Sequence, residues 1–298
     1  MQDKLQELLR RFPNGKENEI LAPYTYFKVG GPAKLFYHPQ TAQEFLSLLR
    51  AVQELALPFI VLGSGANVLI SDQGFDGVVI RSGGKQITLL EDSVLEAEAD
   101  VPLSLLMNSA AQHGLSGMEF LAGIPGTVGG GIFGNAGNSE YGLGNKSSKV
   151  EGLDTGGTVK LFTPEECAFA YRTSVFKQQG GVVLRAWFPL QSDDPVAIRS
   201  RINENLLRKK EVQPLKNASA GCIFTNPPGQ SAGRLIDQAG LKGKEIGGAQ
   251  VSTQHANFIV NTGEAKAEHI VMLISYIKQQ IRDSYGVQLR EEIRYIGF

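Results

Sequence analysis

Two glycine-rich stretches are the part of this sequence whose residue types and spacing point most directly to chemistry. Residues 123–137 (GIPGTVGGGIFGNAG) hold seven glycines in fifteen positions, and residues 62–67 (LGSGAN) lie between the apolar runs 58–61 and 68–70. Glycine costs backbone entropy on folding, so this density is expected where the main chain takes a positive φ or closely approaches a ligand. Because bare amides suit an anion, we expect both stretches to bind the phosphates of a large cofactor.

Known nucleotide-binding motifs do not fit this glycine pattern. The dinucleotide fingerprint requires a third glycine where Val68 stands, and a strand rather than a helix is expected to follow. Residues 144–147 are similar to a nucleoside-triphosphate loop, but Asn145 and Glu140 occupy positions that require glycine. A structural loop without a ligand remains an open explanation for residues 123–137.

The nucleophilic and titratable side chains indicate less about function than the glycine-rich stretches do. Cys167 and Cys222 match no disulfide or metal spacing, which is typical of a reducing compartment, and a small buried hydrophobe is the ordinary role for Cys222. In a strand, Glu291 and Glu292 would point to opposite faces. The histidines have no paired metal spacing, so we expect no metal site. They are His38, His113, His255 and His269.

The composition is that of an ordinary globular protein. The 298 residues are 42% hydrophobic and 20% charged, and the net charge of -1 gives no general affinity for nucleic acid. No apolar run is long enough to span a bilayer, and the charged amphipathic amino terminus differs from a secretory signal. We therefore expect a cytoplasmic protein that binds neither membrane nor nucleic acid.

Apolar periodicity and turn residues predict a chain of alternating helices and short strands, with a domain boundary at 190/191. The predicted elements, in order, are a helix after a Thr41 and Glu44 capping box, short strands between residues 68 and 99, a helix over 101–113, a hairpin over 150–161 around the turn 155–157, a helix beginning at Asp194 and Pro195, and a long carboxyl-terminal helix ending near Gly286.

Six motifs in order along the chain resemble the UDP-N-acetylenolpyruvoylglucosamine reductases of bacterial peptidoglycan synthesis, the MurB family, from about residue 24 to the end. They are residues 27–33 (FKVGGPA), 62–67, 123–137, 171–176 (YRTSVF), 221–227 (GCIFTNP) and 292–294 (EIR). The resemblance implies an α+β fold. Residues 1–190 would form an FAD-binding domain of the vanillyl-alcohol-oxidase type, in two subdomains split near 75–80, and residues 191–298 an α+β substrate-binding domain.

The same resemblance implies a reaction in which NADPH, through non-covalently bound FAD, reduces UDP-N-acetylglucosamine enolpyruvate to UDP-N-acetylmuramate. It assigns the two glycine-rich stretches to the FAD pyrophosphate, as their exposed amides already suggest. The implied FAD-binding residues are Leu62, Gly63, Ser64, Gly65, Ala66, Asn67, Gly123, Gly126, Thr127, Gly129, Gly130, Asn135, Ala136, Gly137 and Val183.

Three catalytic residues are implied by the resemblance. Arg172 would hold and polarise the substrate carboxylate, Glu292 would assist polarisation or proton delivery, and Cys222 occupies the proton-donor position. Much of the family has serine at that position. A thiol with an ordinary pKa of about 8.5 is mostly protonated at neutral pH and is a far stronger acid than an alcohol, so it can keep this role, although it can also be oxidised.

The implied substrate-binding residues are Tyr171, Arg172, Asn226, Lys242 and His255. No long insertion separates Asn226 from Gly240, where part of the family carries a tyrosine loop that covers the substrate. The chain therefore resembles the shorter subtype, and we expect a monomer.

Two alternatives to this function stay open. Another flavoprotein of the same fold, such as a sugar or lactone oxidase, often tethers its flavin through a histidine, and neither glycine-rich stretch contains one. A non-catalytic sugar-nucleotide sensor would keep the fold without the chemistry. The joint presence of Arg172, Cys222 and Glu292 disfavours the sensor.

Overall fold

The structure, a computed structural model, describes residues 1–138 and 140–298. The α-helices are α1 (Gln2–Arg11), α2 (Ala42–Glu54), α3 (Leu103–Gln112), α4 (Val128–Phe133), α5 (Pro164–Cys167), α6 (Val175–Gln179), α7 (Pro195–Val212), α8 (Ala232–Gln238) and α9 (Ala267–Tyr285). The strands are β1 (Lys16–Ile20), β2 (Pro32–Tyr37), β3 (Phe59–Leu62), β4 (Val68–Ile70), β5 (Phe75–Arg81), β6 (Ile87–Leu89), β7 (Val94–Glu98), β8 (Leu115–Ser116), β9 (Lys149–Leu153), β10 (Val159–Phe162), β11 (Val182–Pro189), β12 (Gln191–Ser192), β13 (Glu245–Ile246), β14 (Ala249–Val251), β15 (Ile259–Asn261) and β16 (Arg294–Ile296).

The chain divides into two compact units. The first comprises Met1–Glu17, Leu35–Ser64 and Gly77–Arg208, and the second Asn18–Lys34, Gly65–Asp76 and Lys209–Phe298. The domain boundary at 190/191 stays a prediction. By contacts, α7 as far as Arg208 belongs to the first unit, and two short segments from the amino-terminal part of the chain belong to the second.

A five-stranded antiparallel sheet in the order β10-β9-β11-β7-β6 forms the centre of the first unit. The sequence of β11 is almost wholly apolar, and most of its side chains are buried. Along β7, Leu95 and Ala97 face the core, whereas Glu96 points outward to an ion pair with Arg185 of β11. Along β7 this alternation is the period of two expected for a strand with one buried face, whereas β11 is buried on both faces because Val182 and Leu184 join a second core.

A second core in the first unit joins α2 to the parallel pair of β3 and β5. Phe45, Leu48 and Leu49 of α2 are buried there with Val78 and Ile80 of β5. The predicted start of α2 is confirmed, because the hydroxyl of Thr41 accepts a hydrogen bond from Glu44 N at 3.1 Å. The reciprocal half of the capping box is wrong, since the Glu44 carboxylate accepts from Gln40 N instead.

The remaining predicted elements are also found. Helix α3 begins after Pro102, and the hairpin of β9 and β10 pairs Leu153 with Val159. The carboxylate of Asp194 accepts a hydrogen bond from Val196 N at 3.1 Å at the start of α7. Helix α9 ends at Gly286, which has a left-handed φ of 67°. Helical and strand periodicity therefore located these elements correctly.

The second unit packs α8 and α9 against the antiparallel sheet β13-β14-β15 and the parallel pair of β4 and β16. One face of α9 carries the apolar residues of this core at helical spacing, and they are fully buried or nearly so. They are Ala267, Ile270, Leu273, Ile274, Ile277 and Ile281.

The carboxylate of Asp72 caps the amino terminus of α9 from far away in the sequence. It accepts hydrogen bonds from Ala267 N at 3.0 Å and from Glu268 N at 3.1 Å. Because these amides have no partner inside the helix, we expect Asp72→Ala to lower the free energy of unfolding by about 1–2 kcal/mol in urea denaturation. Asp76→Ala is the control, since its exposed 3.6 Å ion pair with Lys34 should contribute almost nothing. Equal losses in both variants would contradict the capping role.

Candidate active site

The glycine-rich stretch 123–137 is not entirely a loop, because it contains the short helix α4. Helix α4 begins after Thr127, whose hydroxyl accepts a long hydrogen bond from Gly130 N at 3.4 Å. A Cβ on Gly129 would lie 3.0 Å from Ala99, and one on Gly131 would lie 2.7 Å from Leu143, so these two glycines allow close packing. Packing therefore explains part of the glycine content without a ligand.

Gly130 has no such packing reason. It is exposed, and a Cβ there would meet only the Thr127 hydroxyl, at an ordinary 3.6 Å. Alanine would be favoured over glycine at a helical position by about 1 kcal/mol. A bare backbone at this exposed position would allow a ligand to approach the first turn of α4 closely.

The two glycine-rich stretches meet in the first unit. A Cβ on Gly63, just after β3, would lie 2.6 Å from the Thr127 hydroxyl at the start of α4. Within the described chain, the amides of Gly63 and Ser64 donate to no other group of the protein. A cradle of bare main chain that a single methyl group would fill fits the diphosphate of FAD.

The second half of the loop 62–67 belongs to the second unit. Gly65 has a φ of 72°, and a Cβ there would collide with the carbonyl oxygen of Tyr24, so the turn requires glycine. The Asn67 side chain donates to the carbonyl oxygen of Glu292 at 3.3 Å, and Arg294 N donates to the carbonyl oxygen of Asn67 at 3.1 Å. These bonds tie the loop to the carboxyl-terminal segment.

The predicted cofactor residue Asn135 is buried, and its side chain serves the protein itself. The amide nitrogen donates to Asn145 Oδ1 and to the carbonyl oxygen of Ala170, both at 2.9 Å, and the amide oxygen accepts from Gly144 N at 3.0 Å. Of the neighbouring predicted residues, Ala136 donates its amide to Gly131, Gly137 pairs with Gly142, and Val183 is buried on β11.

Tyr171 and Arg172 form the centre of a tight turn in the first unit. Ala170 and Thr173 exchange two main-chain hydrogen bonds of 3.2 Å across it. Arg172 takes a left-handed φ of 57°, which is unfavourable for a residue with a Cβ and therefore requires support from its surroundings. That support includes Asn135, which bonds to Ala170, and Ser174, whose hydroxyl donates to the carbonyl oxygen of Phe133 at 2.7 Å.

This arrangement fixes Arg172 to the end of the glycine-rich stretch, because both Asn135 and Phe133 belong to that stretch. Tyr171 is 53% exposed, and its ring centroid lies 5.5 Å from the guanidinium carbon of Arg172. The turn therefore presents an aromatic ring and a cation together, beside the segment predicted to hold the cofactor.

Cys222 and Glu292 lie on neighbouring segments of the second unit. Glu292 N donates to the carbonyl oxygen of Ile223, the residue after Cys222, at 2.7 Å. On its other side, the Cys222 segment pairs with residue 258 in an antiparallel bridge. Main-chain hydrogen bonds thus place the segments of the predicted proton donor, Cys222, and of the residue predicted to assist it, Glu292, side by side across 70 positions of sequence.

The structure distinguishes the two cysteines and gives Glu291 a lysine partner. Cys167 is fully buried, and burial raises the pKa of its thiol to about 12, whereas Cys222 is partly exposed. The expectation that Cys222 is a buried hydrophobe is therefore wrong. The Glu291 carboxylate is bonded to Lys278 at 2.8 Å. Both glutamates precede β16, which begins at Arg294, so the prediction of opposite strand faces does not apply.

The predicted substrate-binding residues of the second unit surround α8. The Asn226 amide oxygen accepts from Ala232 N at 3.0 Å at the first turn of this helix, and Lys242 is paired with Asp237 at 2.8 Å near its end. Gly233 lies against the His255 ring, where an added Cβ would be 3.4 Å from Cε1. Three residues that are distant in sequence are therefore placed around one short helix.

His255 is held as a neutral donor. Its Nδ1 accepts a hydrogen bond from Asn257 N at 3.3 Å, so the proton of the neutral ring is on Nε2. Burial, and next the positive charge of Lys242, lower the pKa of His255 below its usual value. Both effects disfavour the charged form, and the ring therefore remains uncharged at neutral pH.

No sequence pattern indicated that Asn257 has a role near the candidate catalytic residues. Its side chain is buried and bonded to the main chain of Phe224, two residues from Cys222. Of the predicted catalytic and substrate-binding residues, Tyr171 and Arg172 are in the first unit and all the others are in the second. In the described residues, no helix has the length and apolar character needed to cross a bilayer, and no cluster of three metal-ligating side chains is found.

Comparisons with known proteins assign both parts of the chain. The family model "UDP-N-acetylenolpyruvoylglucosamine reductase, C-terminal domain" matches residues 213–296, and "FAD binding domain" matches residues 33–159. The chain is 40% identical to the UDP-N-acetylenolpyruvoylglucosamine reductase of Caldanaerobacter subterraneus subsp. tengcongensis over 297 residues, which is 99% of this chain and 97% of the relative. It is also 40% identical to that of Anoxybacillus flavithermus, over 99% of both chains.

A solved structure supports the same assignment. The crystal structure of the MurB enzyme from Thermus caldophilus matches with a TM-score of 0.81 and 38% identity, covering 94% of this chain and 98% of that one. The fold is α+β, with an FAD-binding domain of the vanillyl-alcohol-oxidase type and a carboxyl-terminal α+β domain, as the sequence predicted. The chain therefore belongs to the UDP-N-acetylenolpyruvoylglucosamine reductase (MurB) family, and it is an FAD-dependent oxidoreductase that uses NADPH to reduce UDP-N-acetylglucosamine enolpyruvate to UDP-N-acetylmuramate in peptidoglycan precursor synthesis.

Proposed function

We propose that Arg172, Cys222 and Glu292 perform the protein's part of this reaction. Bound FAD would supply the redox chemistry, namely hydride transfer from NADPH to the enolpyruvyl double bond of the substrate. Hydride addition at the terminal carbon leaves negative charge on the neighbouring carbon and its carboxylate. The chain must stabilise that charge and then protonate the carbon.

Arg172 binds and polarises the substrate carboxylate in this proposal. A guanidinium offers two parallel N–H donors to a carboxylate, and its charge is unaffected by pH in the range where proteins fold. Support comes from the tight turn that holds Arg172 at a left-handed φ of 57° and from the bonds that join this turn to Asn135 and Phe133. Strain of this kind, maintained by surrounding contacts, is typical of functional positions.

Cys222 donates the proton to the carbon, and Glu292 polarises the substrate or assists that transfer. The observation that carries this assignment is the 2.7 Å hydrogen bond from Glu292 N to the carbonyl oxygen of Ile223, which holds the two residues on adjacent segments. Cys222 is partly exposed, as a residue that meets a substrate must be, whereas Cys167 is fully buried in the core. Glu292 is assigned this role because it occupies the position of the glutamate in the family motif, and the neighbouring Glu291 is bonded to Lys278.

The bare main chain of the two glycine-rich stretches would hold the FAD diphosphate. Gly63 and Ser64 offer amides beside Thr127, and the exposed Gly130 lets a ligand approach the first turn of α4. The other predicted FAD residues keep that assignment as part of the proposal, with Asn135 acting through its main chain or through the remaining lone pair of its amide oxygen.

The diphosphate and uridine end of the substrate would bind around α8. Lys242 supplies a positive charge, Asn226 a side-chain amide and neutral His255 an Nε2–H donor. Tyr171, whose ring is exposed, keeps its predicted substrate-binding role. We also propose that the enzyme acts as a cytoplasmic monomer with functional domains 1–190 and 191–298. The two free cysteines are consistent with a reducing compartment.

Replacement of Arg172 tests the central assignment. We expect Arg172→Met to lower kcat/KM for the enolpyruvyl substrate by about 100-fold, because a charge-assisted bidentate contact contributes about 3 kcal/mol or less. The measurement is NADPH oxidation that depends on the enolpyruvyl substrate. Methionine is no more strained than arginine at this φ, so the backbone should be maintained.

Arg185→Met is the matched control for that experiment. Arg185 bonds to Glu96 and Glu151 on the outer face of the β-sheet in the same unit, so its loss should affect stability and leave kcat/KM nearly unchanged. If Arg172→Met retained full activity, or if the two variants lost activity equally, Arg172 would not be the carboxylate-binding residue.

A further inference from the structure

Asn257 uses its main-chain carbonyl and both polar atoms of its side chain in hydrogen bonds to the Cys222 segment. Its carbonyl oxygen accepts from Ile223 N at 2.8 Å, its amide oxygen accepts from Phe224 N at 3.0 Å, and its amide nitrogen donates to the carbonyl oxygen of Phe224 at 2.8 Å. The side chain is almost fully buried, with 4% exposure of the residue. One asparagine thus makes three bonds to the two residues that follow Cys222.

These bonds replace a regular β ladder at this position. Cys222 pairs with Phe258 only in an isolated bridge, and beyond it the Asn257 side chain takes both main-chain groups of Phe224. A buried main-chain N–H and C=O must be satisfied, so loss of the side-chain amide would leave both groups of Phe224 unpaired. The segment could recover partners only by shifting.

Such a shift would move both candidate proton-transfer groups. Ile223 lies between Cys222 and Phe224, and its carbonyl oxygen accepts the hydrogen bond from Glu292 N. We propose that Asn257 is a positioning residue that fixes Cys222 and Glu292 for proton delivery to the substrate carbon. This inference rests on the proposed role of Cys222 as the proton donor.

Asn257 also connects this pair to the substrate-binding region. Its main-chain N–H donates to Nδ1 of His255, which sets the Nε2–H tautomer of that ring. The main-chain bond does not depend on the Asn257 side chain. A side-chain variant should therefore disturb the Cys222 segment and leave the His255 tautomer, and with it much of the substrate affinity, in place.

The test separates the two half-reactions by stopped-flow absorbance of the flavin. We expect Asn257→Leu, which keeps the approximate volume and removes both side-chain bonds, to slow reoxidation by the enolpyruvyl substrate on the order of 100-fold. Reduction by NADPH should change less than about twofold, because it requires no proton from Cys222. Asn257→Asp, which keeps the acceptor for Phe224 N and loses the donor, should give the same split if the leucine variant folds poorly.

Asn261 supplies a matched control. It lies four residues further on, and its side chain donates to the carbonyl oxygen of Phe27 at 2.8 Å and accepts from Gly263 N at 2.8 Å, so it is equally engaged and remote from Cys222 by bonding. Asn261→Leu should lower the melting temperature by an amount similar to Asn257→Leu. It should not slow reoxidation by the enolpyruvyl substrate relative to reduction by NADPH. Flavin content and melting temperature are measured for every variant.

Two outcomes would overturn the inference. Asn257 variants that slow both half-reactions equally, or that match the Asn261 control, would mean that Asn257 only stabilises the unit. Failure of the underlying role is recognised separately, because Cys222→Ala would then leave reoxidation unchanged. Both the positioning role of Asn257 and the proton-donor role of Cys222 are supported if the Asn257 variants slow reoxidation but not reduction by NADPH and if Cys222→Ala also slows reoxidation.

Discussion

Replacing Cys222 by alanine is expected to slow reoxidation of the flavin by the enolpyruvyl substrate by about 10²- to 10⁴-fold, the range in which a general acid contributes to catalysis. Reduction of the flavin by NADPH should remain nearly intact, because hydride transfer from NADPH requires no proton from this thiol. The two rates are measured separately in anaerobic stopped-flow experiments. Cys222 is partly exposed, so its truncation should cost little stability.

Two further variants control this result. Cys222→Ser should keep substantial activity, because a hydroxyl can occupy the donor position although it is a weaker acid. Cys167→Ala removes the other thiol, which is fully buried and has its pKa raised to about 12 by burial, and should lower stability without changing either rate. Equal loss in both half-reactions of Cys222→Ala would contradict the proton-donor role.

Replacing Gly130 by alanine is expected to weaken FAD binding by about 100-fold, while the protein without flavin becomes slightly more stable. The first effect follows because a methyl group on the exposed face of α4 would block approach to a charge-assisted main-chain contact of about 2–3 kcal/mol. The second follows because alanine is favoured over glycine in a helix by about 1 kcal/mol. Flavin content and the melting temperature of the flavin-free protein measure the two effects.

The opposite signs make this test selective. A purely structural glycine would show lower stability in the flavin-free protein together with any loss of flavin. Gly156→Ala is the control, since Gly156 lies in the hairpin between β9 and β10 and a Cβ there would contact only the Asp154 carboxylate at 3.4 Å. A Gly130→Ala protein that retains full flavin affinity would exclude this helix turn from the diphosphate site.

Local patterns in the sequence were sufficient to locate the main helices and strands. The apolar spacing of α9 and its end at Gly286, the Thr41 cap of α2 and the turn between β9 and β10 are each determined by residues close together in sequence. Interactions of this kind depend on periodicity and capping, so they can be read without knowledge of the tertiary structure.

The meaning of the glycines could be predicted only in part. Their density correctly indicated close approach of the main chain, but Gly129 and Gly131 approach Ala99 and Leu143, whereas Gly130 faces outward. A sequence cannot separate these cases, because the neighbour of each glycine is set by how α4 packs. The motifs, rather than the glycines alone, indicated the family.

Hydrogen bonds between segments that are distant in sequence could not be recognised in advance. Asn67 bonds to the carbonyl oxygen of Glu292 across 225 positions, and the Asn257 side chain bonds to Phe224 across 33. An asparagine in a polar turn has the same local appearance whether it is solvated or buried against a distant segment. Only the pairing of the segments distinguishes the two.

The pairing of β4 with β16 and the Asp72 cap on α9 have a consequence for biosynthesis. Strand β4 and Asp72 belong to the segment 65–76, which is translated well before α9 and β16. The second unit can therefore complete its structure only after β16 has been translated. A recombinant fragment limited to residues 209–298 would lack the partner of β16 and the cap of its longest helix, so it should be less stable than the same residues in the full chain.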